Sequence, residues 1–526
     1  MVSIHPIWAL MLGALMCSEA LGREPALAPA SMRAIATVDE RFQSYNIEMV
    51  EVTGGRFWRP YPQTSAANPS MRPARPVKPA LQQGDIYAYR PPIDLDNSRL
   101  RTLAAALAPA YLRVSGTWAN ATYFADGDDA PAAPPAGFTS VLSRTRWRAV
   151  VDFARAVDAR IVTSFAVSAG TRDAAGIWTP DQALSLLAYT RSLGSGVAAA
   201  EYMNEPTLAA MNGAPAGYDA EAYGRDFRIF REFLKQASPE TLILGPGSVG
   251  ESSSAPASRM AAADLLVVSG GGLDGFSYHH YNTVSRRCGG RDIPGEALSE
   301  EWLARTDQPH AFYRSLRDRF APDKPLWLTE TAAAACGGNP WDATFLDTFR
   351  YLDQLGRLAK AGVQVVMHNT LAASDYGLLE EATFEPRPNY WGALLWHRLM
   401  GRTVLDPGVP TQGSLHVYAH CNAVSPGGVT VLAINTSPHA SHALTLPTAS
   451  ERYTLHASHL QSKTVHLNGR TLALVVKDEL PAIAASPTPA GVVTFAPATI
   501  TFLAIPAAAN RACHYSVFER SGYRFA

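Results

Sequence analysis

The 526-residue chain has little of what would place it outside the globular proteins. Charged residues make up only 17% of it, and no internal repeat is evident. At 47% hydrophobic it is neither disordered nor a coiled coil, and it must bury large cores. An excess of one charge sign is missing too. Lys and Arg number 45 against 46 Asp and Glu, a formal net charge of -1. A general electrostatic grip on nucleic acid needs a basic excess, so no nucleic-acid partner is expected. Outside the N-terminus no apolar run approaches the roughly 18 residues of a membrane span, so none is expected. Cysteine is scarce, with five in the whole chain and none at CxxC spacing, which argues against a zinc site. No GxGxxG fingerprint follows a first strand and no G-x-S-x-G elbow appears, which weakens dinucleotide-binding and esterase readings.

The N-terminus does carry a short apolar run, Ile7 to Met16, ten residues long. It suits the core of a secretory signal peptide over residues 1–22, with cleavage near Ala20-Leu21-Gly22. The expected location is therefore secreted or periplasmic. Ala14-Leu15-Met16 before Cys17 is a poor lipoprotein signature, so a lipid anchor is not favoured. Cleavage would leave Cys288, Cys336, Cys421 and Cys513. An even number in an exported chain permits two disulfides, in three connectivities. Cys288–Cys336 with Cys421–Cys513 would keep each bridge inside one domain; buried free thiols are the alternative.

Strand-like and helix-like segments alternate through the middle of the chain. The strand candidates are Ser44–Glu51, Ala110–Ser115, Arg160–Val167, Val197–Met203, Leu242–Gly245, Gly275–His279, Leu326–Thr329 and Val363–Asn369. Helical periodicity fills the gaps at Arg144–Val157, Pro180–Leu193, Ala222–Gln236, Trp302–Arg319 and Trp341–Ala361. In the third of these, Phe227, Phe230, Phe233 and Leu234 recur on one face, as in a helix packed on a sheet. Eight such units predict an α/β fold, a (β/α)8 barrel over residues 40–401. From 402 to 510 short strands joined by Pro, Ser and Gly predict a β-sandwich, joined by a strand from 30–39, with a tail over 511–526. Arg56 to Arg90 is Pro-rich, with Arg56, Arg59, Arg72, Arg75, Lys78 and Arg90 against one acid, Asp85. It reads as a basic rim for an anionic substrate or as a solvated excursion.

Two segments could carry chemistry. Glu205, in Asn204-Glu205-Pro206, would stand at the end of the fourth strand, where Pro206 stops strand pairing. Glu330, in Leu328-Thr329-Glu330-Thr331, would end the seventh strand, before an Ala- and Gly-rich loop through Gly338. A retaining glycosidase needs one protonated and one ionised carboxyl about 5–5.5 Å apart across the sugar. Burial and mutual repulsion split their pKa values. Glu201, upstream in the same strand, competes as a plain strand-end acid. His279 and His280 are neighbours, so on a strand they face opposite ways and a joint metal site is not expected. Tyr390, Trp391, Leu394 and Leu395 read as the inner face of the last barrel helix.

With these segments in order, the chain resembles glycoside hydrolase family 79, the heparanase and β-glucuronidase family of the (β/α)8 retaining clan. The resemblance is carried by Leu107 to Thr117, Asn204-Glu205-Pro206, His279-His280-Tyr281, Trp327 to Thr331, Val365 to Asn369, Ser374-Asp375-Tyr376 and Asn389-Tyr390-Trp391. It implies Glu205 as acid/base and Glu330 as nucleophile, with no metal or organic cofactor. It implies that Asn204, Thr117 and Glu48, where the family often has Asp, contact a uronic acid. Tyr281 would orient the nucleophile, and His279 would line the pocket. Tyr376 and the backbone amides near Gly337 and Gly338 would hold the sugar carboxylate. Asn369 falls where heparanase-like members carry Gln, and Cys336 begins what is a glycine run in heparanase. The implied protein is a monomer acting on uronic-acid-containing oligo- or polysaccharides. Exo or endo action, a non-catalytic glycan-binding relative, and another sugar specificity such as arabinofuranosidase stay open.

Overall fold

The computed structural model describes residues 25–62, 86–251, 260–409 and 413–514. The expected signal peptide, Cys17 and the stretch from Arg72 to Asp85 lie outside the described residues.

Eight parallel strands close into a barrel. In chain order they are Gln43–Glu48, Ala110–Ser115, Ala159–Ser164, Val197–Glu201, Leu242–Val249, Gly275–Val284, Leu326–Ala335 and Val365–His368. The eighth pairs with the first, Val366 opposite Gln43, which closes the ring. The helices between them are amphipathic and capped where the sequence turns polar. Ser143 accepts from the Arg146 amide at the start of Arg144–Ala156, and Asp219 accepts from Ala222 at the start of Ala220–Ala237. Phe227, Phe230 and Leu234 of the latter are buried as the periodicity implied.

Several elements differ from the sequence reading, three of them near the site or in the C-terminal sheet. The first strand stops at Glu48, and Met49–Thr53 turns into a helix; Glu51 reaches back to accept from the Glu48 amide at 2.9 Å. The β-branched Met-Val-Glu-Val run resembles a strand locally, yet the barrel rim ends it. Strands six and seven run on together past the rim, pairing Tyr281 with Ala332 and Val284 with Ala335. The alanine run after Glu330 is therefore strand rather than loop. Past Arg470–Thr471, the run to Val476 forms no strand.

A nine-stranded sheet follows the barrel. Its strand Met400–Leu405 pairs with Ala34–Thr37 from the N-terminal side and with Leu415–Asn422. Both faces are covered. Leu432, Ile434, Ile500 and Phe502 join the barrel's core, while Val431, Ala433 and Leu503 pack with Leu444, Val493 and Phe495 of the two-stranded layer His442–Leu446 and Gly491–Phe495. That alternation is the period of two expected of a sheet buried on both sides. Asp353, on barrel helix Phe345–Lys360, accepts from His416 and Tyr418 of the sheet, both at 2.6 Å. Cys288 is bonded to Cys336 and Cys421 to Cys513, so each bridge stays within its own unit. Among the described residues no helix is long and apolar enough to cross a membrane.

Candidate active site

The C-terminal ends of the barrel strands open into a cleft of about 1080 Å³. Glu205 lies four residues past the end of strand four, in left-handed backbone at φ +47. That conformation costs a non-glycine residue about 1–3 kcal/mol and needs outside support. Asn120 supplies it. Its amide donates to the carbonyls of Asn204 and Asn212, each at 2.9 Å, and its oxygen accepts from the Asn204 N–H at 2.8 Å. Pro206 then opens a short 3-10 turn. The Glu205 carboxylate meets His279 Nδ1 at 3.0 Å and Asn212 Nδ2 at 3.4 Å.

Glu330 sits at the level where strand eight stops, since Thr331 pairs with His368, the last residue of that strand. Its Oε1 accepts from the Tyr281 hydroxyl at 2.6 Å and its Oε2 from Arg113 at 2.9 Å. His279 Nδ1 is 3.7 Å from the same Oε2. One carboxylate oxygen of Glu205, one of Glu330 and a ring nitrogen of His279 lie within 4.8 Å of one another. The two acids therefore face one space.

Arg113 carries no role in the sequence reading, yet it is the cation at the centre of the site. It is 1% exposed. Beyond Glu330 it binds Glu201 Oε2 at 2.9 Å and Asn204 Oδ1 at 2.8 Å. Glu201 is thereby tied inside the barrel; Thr329 also donates to it at 2.9 Å. The available signal was a lone cation at an inward position of the apolar run Ala110–Ser115.

Burial raises the Glu330 pKa, but the charges of His279 and Arg113 and the Tyr281 hydrogen bond outweigh it, so the carboxyl is held below its usual value. Glu201 is lowered in the same way, with burial outweighed by Arg113 and His279. Glu48 goes the other way. Burial and the Glu330 charge push it well above the usual carboxyl range, against the Asn369 hydrogen bond and Arg113. Tyr281 and Tyr376 are also pushed up, first by burial and then by neighbouring carboxylates.

Asn369 Nδ2 lies 3.0 Å from Glu48 Oε1, 3.0 Å from the Tyr281 hydroxyl and 3.3 Å from the Tyr376 hydroxyl. Glu48 Oε2 and Asn369 Oδ1 are buried without a partner. Gly116, at φ +87, makes room for that carboxyl, because a Cβ there would come within 1.5 Å of Glu48 Oε2. Of the expected site residues, Glu48, Thr117, Glu205, His279, Tyr281, Glu330, Asn369 and Tyr376 line the cleft. Asn204, Gly337 and Gly338 are not among the lining residues. Asn204 stands behind, held by Arg113. The Gly338 amide donates to the Ala334 carbonyl at 3.1 Å, and Gly337 backs onto Trp58 and Ser374. Cys336 lines the wall in their place.

Glu205, His279 and Glu330 form the one group among the described residues that could offer three metal ligands. Their chemistry suits a proton better. Both Glu330 oxygens already accept hydrogen bonds, and the Arg113 guanidinium, 3.3 Å from His279 Nε2, would repel a second cation.

The description "Glycosyl hydrolase family 79, N-terminal domain" matches residues 92–356. The chain belongs to glycoside hydrolase family 79. It is 32% identical over 276 residues to heparanase-like protein 2 of Arabidopsis thaliana, covering 51% of this chain and 48% of that one. It thus spans about half the length of the first plant relatives it matches. The match to Bos taurus heparanase is 28% identical over 454 residues, 75% of this chain and 81% of the relative. Baicalin-β-D-glucuronidase of Scutellaria baicalensis is 25% identical over 434 residues, 74% and 79% of the two chains. A solved structure, a 4-O-α-L-rhamnosyl-β-D-glucuronidase from Fusarium oxysporum 12S, shares the fold with a TM-score of 0.63 at 14% identity, covering 92% of this chain and 99% of that one.

Proposed function

We propose that this family 79 member is a secreted, retaining β-glucuronidase that hydrolyses β-linked glucuronic acid through a covalent intermediate. The observation that carries the reading is Glu205 and Glu330 within 4.8 Å of each other, the second held ionised by Arg113 and Tyr281. That spacing suits direct attack on carbon and leaves no room for the intervening water of an inverting enzyme. Glu330 attacks the anomeric carbon as Glu205 gives its proton to the departing oxygen. A glycosyl ester on Glu330 results. Glu205 then takes a proton from water, which attacks the same carbon and frees Glu330.

Glu48, Asn369, Tyr281 and Tyr376 surround the place of the ring and offer it hydrogen bonds. Glucuronic acid is favoured by kinship with heparanases and a glucuronidase across most of the chain. Export is supported by the apolar run Ile7 to Met16 and by the two disulfides. Turnover of an aryl β-glucuronide tests the assignment. Glu330→Ala should lose several orders of magnitude in rate; near-wild-type turnover would overturn the reading.

A further inference from the structure

We infer that the cleft is closed at its glycone end, so that the enzyme removes glucuronic acid from non-reducing termini and does not cut within a polymer. The inference rests on the β-glucuronidase reading.

The direction of the substrate follows from the acids. The leaving oxygen must lie beside Glu205, so the leaving group runs out over the loops after strands four to six. The ring itself lies over Glu330, Tyr281, Asn369 and Glu48, on strands six, seven, eight and one. A sugar preceding the ring would therefore have to leave past the loops that follow strands eight and one.

That way is barred. The chain after strand one forms a hairpin, Gly55–Trp58 paired with Tyr87–Arg90. Trp58 and Tyr87 stack at 4.6 Å between ring centroids, and both line the cleft. Trp58 presses on the strand-seven loop so closely that a Cβ on Gly337 would come within 2.4 Å of it. The chain then crosses the mouth and is tied on the other side. The Tyr61 amide donates to Asp375 Oδ2 at 3.1 Å, and its hydroxyl meets Ser285 Oγ at 2.9 Å. Arg287 lies 4.0 Å over the Tyr61 ring and pairs with Asp375 at 2.7 Å, both side chains 4% exposed. It also donates to the Arg59 carbonyl. The Cys288–Cys336 bridge pins the loop that carries Arg287.

Residues Trp58 to Tyr61 thus form a bar fixed to the loops after strands six, seven and eight. Freeing it would break the Tyr61 bonds to Asp375 and Ser285 and the Arg287 bond to the Arg59 carbonyl. Among the described residues the leaving-group side has no such bar. Met211 and Val284 line it while staying 78% and 45% exposed.

The experiment compares three substrates. One is an aryl β-glucuronide, one an unsulfated oligosaccharide ending in β-glucuronic acid, and one the same oligosaccharide with a further sugar on the 4-hydroxyl of that residue. The first two should be hydrolysed, and the third at no more than about 1% of the second. Trp58→Ala should raise the third rate relative to the second by about tenfold or more. Should that variant not fold, Tyr61→Ala, which leaves the cleft lining in place, decides by the same ratio. Comparable wild-type rates on the second and third substrates would overturn the closed end and leave the glucuronidase reading standing. No hydrolysis of any of the three would overturn both. An unchanged ratio in a folded variant would overturn the bar as the cause.

Discussion

Replacing Arg113 by Gln tests the electrostatic core of the site. The guanidinium is 1% exposed and holds Glu201 and Glu330, both at 2.9 Å, together with Asn204 at 2.8 Å. Removing one partner from a buried ion pair costs about 3–5 kcal/mol, because the charge left behind is uncompensated. Two carboxylates would be stranded here, so the thermal midpoint should fall by several degrees. Burial raises the pKa of both acids, and Arg113 is a main reason they nevertheless lie below their usual values. Each unit lost is about 1.4 kcal/mol. Carboxyls depressed in the folded state stabilise it above their unfolded pKa, and that contribution disappears as the pH falls through the folded value. The stability gap between wild type and variant should thus be full at neutral pH and narrow below about pH 4. Activity should respond through the same charge. As the proposed nucleophile Glu330 must be ionised to attack, so the acid limb of kcat/KM for an aryl β-glucuronide should move up by about one unit or more. Thermal melts at neutral and acid pH, with a pH–rate profile, read both effects. An acid limb that stays where it was would refute the claim that Arg113 keeps Glu330 ionised.

Burial and the Glu330 charge push the Glu48 carboxyl well above its usual range, which favours its neutral form. Glu48→Gln should then keep kcat/KM on the aryl glucuronide within about tenfold, whereas a loss beyond about 100-fold would show that Glu48 acts as a charge. Cys421 and Cys513 close a loop with a sequence separation of 92, worth about 4–5 kcal/mol in chain entropy. Cys421→Ser should lower the thermal midpoint and leave kcat/KM at 25 °C unchanged; an unaltered melt would show that this bridge does not contribute.

Much of the barrel was legible because a parallel strand buried on both faces reads as a short apolar run, and because Pro206 punctuates strand four. The two acids stood out beside such runs, although Glu205 lies four residues past strand four and Glu330 inside strand seven, which continues to Ala335. Local pattern failed where a distant contact decided the outcome. Met49-Val50-Glu51-Val52 is strand-like in composition, but nothing at the rim can pair with it. The alanines after Glu330 have weak strand preference, and strand six holds them extended by matching them residue for residue. Arg113 and Asn120 could not be assigned, because their side-chain partners come from other segments, 84 to 217 residues away. Gly337 and Gly338 were expected to present amides to a sugar. The Gly338 amide turns back to the Ala334 carbonyl instead.

The strand Ala34–Thr37 joins the C-terminal sheet before the barrel begins, and the chain returns to pair with it at Met400–Leu405 as soon as the barrel ends. Entry and exit of the catalytic unit are clasped side by side. A cut after Leu399 would therefore not release a portable barrel. It would strip Leu432, Ile500 and Phe502 from the shared apolar core and leave the opening strand with an unmatched edge. Truncation and transplantation would have to move the two halves as one piece.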